Sequence, residues 1–290
     1  MWSTYVPGAD AVRVQLGAQL FARVAGPDGP VTRARIHETP GPRWFAPDRP
    51  IRAVHGDASM FVGGLRALLL QSLHPLAMAA VAAHSGYRGD PWGRLHRTSA
   101  FLATTTFGTA DDAQRAVDTV RAVHERVRGT ADGRTYHAAD PHLLGWVHVA
   151  EVDSFLRAHE LYGSRPLDAA GADGYVADTA RVAAALGVID PPRDRAQLAE
   201  RLEAYRPELK ATAHARDAAR FLLLDPPLPW IARAPYAALA VSAVALLPRW
   251  ARKPLRLPYL PITERTGVRL AGRAMTGTIR WAMTPPTPPL

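Results

Sequence analysis

The chain of 290 residues contains no cysteine, and all but two of its 35 basic residues are arginines, the exceptions being Lys210 and Lys253. Without cysteine, the protein has no disulfide bond, no thiolate zinc site and no cysteine nucleophile. The net charge of +9 is therefore almost wholly guanidinium. No block of five or six consecutive like charges occurs, so we predict no nucleic-acid partner.

The sequence also lacks an uninterrupted apolar run of membrane-spanning length. Residues 65–83 are long enough, but Arg66, Gln71, His74 and Pro75 interrupt them, and residues 236–248 fall short of the roughly 18 to 20 residues of a span. We predict that both are core helices. The first 21 residues have no basic region followed by a long apolar stretch, so we expect no secretory signal and a cytoplasmic location.

Most of the local secondary-structure signals in the sequence indicate helices. Asp90-Pro91 and Asp140-Pro141 each place an N-cap acid before a proline at the first helical position, and glycines follow the apolar-periodic segments. We predict an all-α fold, a single multi-helix globular domain. Its predicted helices cover 57–83, 90–106, 111–129, 141–162, 172–186, 195–205, 208–224, 234–247 and 263–283. We divide the chain into an N-terminal arm (1–44), a core (45–250) and a C-terminal helix with a proline-rich tail packed on the same domain (251–290), with the closing TPPTPPL disordered.

The stretch GRLHRTSAFL (93–102) places cationic residues on a helix that otherwise has an apolar pattern. Arg94, Arg97 and Thr98 share one helical face, which Phe101 continues. One interpretation is an amphipathic helix with this face in water. The alternative is that the arginines are buried, in which case they require anionic partners.

A second centre is the helix predicted for 141–162, within a region that holds nine of the eleven histidines (55–159). His148 lies on an apolar stripe with Val152 and Phe155, and Glu151 lies one turn along. A neutral imidazole on such a face suits an axial ligand of an iron porphyrin, although it is also typical of a core histidine. His148 and Glu151, with His124 or His142, are alternatively the ligands of a non-haem metal.

Three weaker candidates precede the arginine helix. His74-Pro75 marks either a kink that lines a pocket or a kink with a packed histidine. His84 and Arg88 belong to the polar turn HSGYRGD, where the arginine is placed to reach a carboxylate or propionate.

Two segments together resemble a known family: LLLQSLHPLAMAAVAAHSGYRGDPWGRLHRT (68–98) and VRGTADGRTYHAADPHLLGWVHVAEVDSFLRAHELYG (127–163). They are similar to the bacterial branch of the family that unites the MpaB-type oxygenases with the catalytic domain of rubber oxygenase, the latex clearing protein. The resemblance covers residues 45–250. It implies an all-α domain enclosing a pocket for haem b, with one proximal histidine as the iron ligand.

The family motifs assign roles to individual residues. The helix motif matches WVHVAEV, so the resemblance makes His148 the proximal iron ligand. The distal Arg-x-x-Lys-Thr of rubber oxygenases here is RLHRT, which gives Arg94, Arg97 and Thr98 the catalytic positions. The further cofactor-binding residues that we expect are His74, His84, Arg88, Phe101 and Glu151.

Two departures from the rubber oxygenases concern the distal side. Arg97 stands where they have lysine, and it cannot lose its proton to ligate iron. Residues 58–89 contain no aspartate or glutamate, although rubber oxygenases carry a catalytic glutamate there.

We therefore expect a haem-dependent oxidoreductase of oxygenase type that uses dioxygen or peroxide on a small or lipophilic substrate. The alternatives are a non-haem metal enzyme using His148 and Glu151, and a non-catalytic all-α protein. The latter would dock on a lipid surface through residues 249–260, and such peripheral membrane contact is also compatible with the enzyme.

Overall fold

The computed structural model describes residues 7–284, in which helices are joined by short turns. The helices are α1 (Pro7–Ala25), α2 (Gly29–Glu38), α3 (Pro50–His55), α4 (Met60–Gln71), α5 (Pro75–His84), α6 (Pro91–Phe107), α7 (Ala110–His124), α8 (Pro141–Tyr162), α9 (Ala169–Leu186), α10 (Arg195–Tyr205), α11 (Ala213–Leu224), α12 (Trp230–Leu246), α13 (Arg249–Arg252), α14 (Pro261–Thr263) and α15 (Arg269–Met283). A 3₁₀ turn (Arg206–Glu208) follows α10, and a π-helical turn (Glu264–Val268) joins α14 to α15. The all-α prediction is confirmed; the predicted disordered tail falls on residues 285–290, which lie outside the described residues.

The two Asp-Pro signals begin helices as predicted. The Asp90 carboxylate accepts a hydrogen bond from the Gly93 amide, and that of Asp140 accepts one from the His142 amide. Each carboxylate satisfies one of the amides that a first helical turn leaves without a partner. These caps determine where α6 and α8 begin, and so the register of the candidate residues along both helices.

The helix predicted for 57–83 is in fact two helices. α4 ends at Gln71, α5 begins at Pro75, and the chain bends by 108° between them. Proline lacks an amide hydrogen and fixes its own φ, so Pro75 begins a new helix, and the His74 ring accepts from the Ala77 amide as its N-cap. No single helix among residues 7–284 has the length and hydropathy of a membrane span; α4 and α5 meet that test only as this bent pair.

The helix predicted for 111–129 is too long by five residues, because the chain leaves α7 at His124 and forms a hairpin. Strands β1 (Arg128–Ala131) and β2 (Arg134–His137) pair antiparallel, with Gly129 opposite Tyr136. The turn residues Asp132 and Gly133 have positive φ values of 50° and 73°, as a tight hairpin turn requires. The Asp132-Gly133 pair is typical of a tight turn, but the strands are too short to give a sequence signal.

Helix α8 is the centre of the fold. It packs against α3, α4, α5, α9, α10, α12 and α15, and most of its side chains are buried. Its closest neighbour is α4, where a Cβ on Gly63 would lie 2.7 Å from a ring carbon of Phe155, so only glycine allows this approach. The main core, which includes Leu70, Trp146 and Tyr175, surrounds α8.

The predicted N-terminal arm contains helices α1 and α2, and α1 packs against α15 at the other end of the chain. Arg13 Nε donates to the Trp281 carbonyl oxygen at 2.9 Å. Asp57 accepts two hydrogen bonds of 3.0 Å from Arg280, which ties α15 to the turn before α4. Helices α1 and α15 therefore pack together, and α15 is tied to the turn before α4.

Candidate functional site

His148 is the most conspicuous polar side chain on the central helix. Its Nε2 atom is buried and has no hydrogen-bond partner among the described residues. Burial lowers the pKa of His148 to about 4, so the ring is neutral at neutral pH. A neutral imidazole with an unengaged nitrogen is the form that ligates a metal.

His148, Glu151 and His55 are each partly buried. Burial shifts the pKa of each side chain, and no charged neighbour contributes to these shifts. Glu151 lies one turn from His148 on α8, and the His55 ring contacts Phe155 of the same helix. We call the region around His148, Glu151 and His55 the α8 recess.

Glu151 supplies the recess with a carboxyl group that titrates near neutrality. Burial raises its pKa to about 7 from the ordinary 4.5. No hydrogen bond joins Glu151 to His148 among the described residues. Glu151 instead acts electrostatically on Tyr175 of α9, whose pKa is raised well above 10, first by burial and then by this carboxyl.

His55 belongs to the recess and was not singled out from the sequence. Its Nδ1 lies 2.8 Å from the Thr106 hydroxyl and its Nε2 lies 3.2 Å from the Tyr175 hydroxyl. Its ring meets Phe155 edge-on, and burial lowers its pKa to about 3. α3 has only six residues, too few for a periodic pattern, so no sequence signal distinguished His55 from the other histidines.

Arg94 is the more buried of the two arginines on α6. Its Nη1 donates to the Ser85 hydroxyl at 2.9 Å, and it forms no ion pair with any carboxylate in residues 7–284. Burial, and then the neighbouring Arg97, lower the pKa of Arg94. A partly buried guanidinium without an anionic partner is a ready site for an anionic group of a ligand.

Arg97 and Thr98 lie further out than the burial interpretation of the sequence requires. The Arg97 side chain is 66% exposed and pairs with Asp90 at 3.2 Å, so the expectation that it is buried is wrong. Thr98 is also exposed, and its hydroxyl donates to the Arg94 carbonyl oxygen at 3.0 Å. The N-cap residue Asp90 is therefore the anionic partner of Arg97, which the sequence alone did not identify.

The remaining residues predicted to bind the cofactor do not lie together in the fold. His84 is exposed and its Nε2 lies 3.2 Å from the Tyr136 hydroxyl, while exposed Arg88 pairs with Asp217. Phe101 is partly buried on α6. His74 lies with His142 and Glu208 rather than with His148. The predicted non-haem cluster of His148, Glu151 and His124 or His142 therefore does not form a three-ligand group among the described residues.

Helices α6 and α8 each pack against α3, but no extensive packing joins α6 to α8 in residues 7–284. No hydrogen bond or ion pair in this part of the chain joins Arg94 or Arg97 to His148. A separate groove of about 440 Å³, lined by residues such as Phe21, Arg33 and His37, shares no residue with the recess. Chemically, the recess offers an imidazole ligand and a protonatable carboxyl.

Comparison with known proteins gives one match. The sequence model of the family described as ER-bound oxygenase mpaB/B′/rubber oxygenase, catalytic domain, matches residues 52–281. This range contains the recess, all of α6 and the whole of α8. No curated protein and no solved structure matches the chain.

Proposed function

The chain belongs to the family of the ER-bound oxygenase mpaB/B′ and the rubber oxygenase catalytic domain, and we propose from this that it is a haem b-dependent oxygenase of a small or lipophilic substrate. Membership of an oxygenase family supports an enzyme that acts on a small molecule with an oxygen-derived oxidant. The observation that carries the haem assignment is the buried Nε2 of His148, which has no partner among the described residues.

The chemistry of His148 and Arg94 suits a haem group. His148 is neutral, and its Nε2 atom has no protein donor or acceptor as a partner among the described residues. Arg94 offers a guanidinium with no carboxylate partner in residues 7–284, which suits a haem propionate.

When bound, the haem iron supplies the redox chemistry that activates the oxidant. The protein would hold the haem and surround it with side chains. In this proposal His148 Nε2 holds the iron, and the long, rigid α8 fixes the direction of the ring. Arg94 binds the anionic edge of the cofactor, and Phe155 provides apolar surface at the recess.

Glu151 and His55 have different roles in this proposal. With a pKa of about 7, the Glu151 carboxyl exchanges a proton near neutrality, whereas His55, with a pKa of about 3, stays neutral. The His55 ring holds the Thr106 and Tyr175 hydroxyls through its two nitrogens. Our proposal assigns Glu151 to proton exchange at its carboxyl oxygens and His55 to positioning these hydroxyls.

The test compares His148→Ala with His142→Ala, an exposed histidine on the same helix that lies outside the recess. Both proteins are produced with iron and a haem precursor, and their Soret absorbance is measured per chain. We expect His148→Ala to fold, by circular dichroism, but to lose most of its haem, with added imidazole partly restoring the Soret band; His142→Ala should match the wild type.

Two results would overturn this assignment. A wild-type protein that takes up no haem would remove the cofactor from the proposal. A His148→Ala protein with full haem content and an unchanged spectrum, beside a His55→Ala protein that loses both, would move the ligand to His55.

A further inference from the structure

A second histidine cluster lies at the start of α8, away from the recess. It joins His74 at the α4–α5 bend, His142 in the first turn of α8 and Glu208 at the end of the 3₁₀ turn. His142 Nε2 lies 2.9 Å and 3.0 Å from the two carboxylate oxygens of Glu208, and His74 Nε2 lies 3.5 Å from one of them. All three donor atoms lie within 4.8 Å of one another.

His74 is the member of this cluster that requires an explanation. Its side chain is only 2% exposed, and its Nε2 atom is buried without a hydrogen-bond partner in the described structure. A buried polar nitrogen without a hydrogen-bond partner is unfavourable. The backbone fixes the ring there, because His74 caps α5 immediately before Pro75 and packs near Trp146. His74 Nε2 therefore lies close to the ligand atoms of His142 and Glu208 but makes no hydrogen bond.

The three donors have the chemistry and spacing of a metal site. Zinc binds histidine nitrogen and carboxylate oxygen at about 2.0–2.2 Å, so two ligands in a tetrahedral site are about 3.4 Å apart. The observed separations, from 2.9 Å up to the limit of 4.8 Å, bracket this value. Adjustment is easy because the His142 and Glu208 side chains are 54% and 36% exposed.

We propose that His74, His142 and Glu208 bind a divalent transition metal ion, with zinc as the best fit, and that water fills the fourth position. The metal ties the α4–α5 bend to the start of α8 and to the segment after α10. The adjacent backbone already links two of these segments, because the Lys210 amide donates to the Leu73 carbonyl oxygen at 2.7 Å. Ligation through Nε2 leaves the His74 ring proton on Nδ1, so the weak 3.4 Å contact from the Ala77 amide is given up.

This site is separate from the proposed haem site. His142 and His148 are six residues apart, which places them about 120° apart around an ideal helix of 3.6 residues per turn. The two sites share no ligand residue. The metal proposal therefore stands whether or not the recess binds haem.

The experiment uses tag-free full-length protein, freed of metal with a chelator and titrated with Zn²⁺ by calorimetry. We expect one Zn²⁺ per wild-type chain, and we expect His142→Ala and Glu208→Gln each to weaken the affinity at least tenfold. Exposed His214 on α11 gives the matched control, so His214→Ala should bind like the wild type. Co²⁺ should give visible bands of a tetrahedral site in the wild type and not in His142→Ala.

Stability gives a second measurement. Because zinc binds the folded form, excess Zn²⁺ should raise the Tm of the wild type and of His148→Ala, but not that of His142→Ala. Zn²⁺ binding by the wild type no stronger than by His142→Ala would refute the proposal, as would an equal loss of affinity in His214→Ala.

Discussion

Arg66 of α4 forms a buried ion pair with Asp153 of α8, with 2.7 Å between the guanidinium Nη2 and a carboxylate oxygen. The same guanidinium donates to the Ser154 hydroxyl at 2.6 Å and to the Leu246 carbonyl oxygen at 3.0 Å. Three segments thus meet at one side chain that is 3% exposed. The ion pair joins α4 to α8 at a position five residues beyond His148.

We expect Arg66→Met to lower the free energy of unfolding by about 3–5 kcal/mol, because removing one partner leaves the Asp153 carboxylate buried without its main counter-charge. The measurement is urea unfolding. Arg157→Met is the matched control: Arg157 also approaches Asp153, at 3.6 Å, but is 59% exposed. Its loss should cost less than about 1 kcal/mol. Equal losses in the two variants would show that burial does not decide the strength of these pairs.

Glu151 should make the stability of the haem-free protein pH-dependent. Its folded pKa of about 7 lies above the unfolded 4.5, so the protonated native form stabilises the fold below pH 4.5 and that stabilisation is lost as pH rises through 7. The full shift corresponds to roughly 3 kcal/mol. Glu151→Gln removes this titration and should gain up to that amount over the wild type between pH 5 and pH 8.

The readout for Glu151 is the difference in unfolding free energy between the two proteins at pH 5, 6, 7 and 8. His55 and His148, whose pKa values are lowered, act in the opposite direction and destabilise the fold below pH 6.5, but both proteins contain them. A difference that stays constant with pH would contradict the assignment.

Arg94 and Arg97 should contribute unequally to haem binding. Arg94 has no carboxylate partner in residues 7–284, whereas Arg97 is already paired with Asp90 and largely exposed. A charge-assisted hydrogen bond contributes about 1.5–3 kcal/mol, so Arg94→Ala should weaken haem binding at least tenfold. Arg97→Ala should change it less than about twofold. Haem transfer to a scavenger protein measures both, and an equal or larger effect of Arg97→Ala would place Arg97 on the cofactor.

We expect no cleavage of polyisoprene, because residues 58–89 lack the carboxylate that rubber oxygenases carry there. The assay is chromatography of latex digests for oligoisoprenoids with aldehyde and ketone ends, with a rubber oxygenase as positive control. If such products form, Glu151→Gln will show whether the recess carboxyl replaces the missing glutamate.

The sequence alone determined the features that depend on neighbouring residues. Asp90-Pro91 and Asp140-Pro141 begin α6 and α8 because an N-cap carboxylate and a proline act within one helical turn. The second of these signals also places His148 mid-helix. The bend at Pro75 is equally local, although only the structure showed that it divides the segment into two helices.

The tertiary structure decided which helix faces oppose each other. His55 and Tyr175 are 120 residues apart, and Arg66 and Asp153 are 87 apart, so no periodic pattern relates them. The pairing of His74 with Glu208, and the exposure of Arg97, likewise follow from the packing of whole helices around α8. Local sequence fixes the position of a side chain along its own helix, but its partner is set by the burial of apolar surface over the entire core, which only the folded chain specifies.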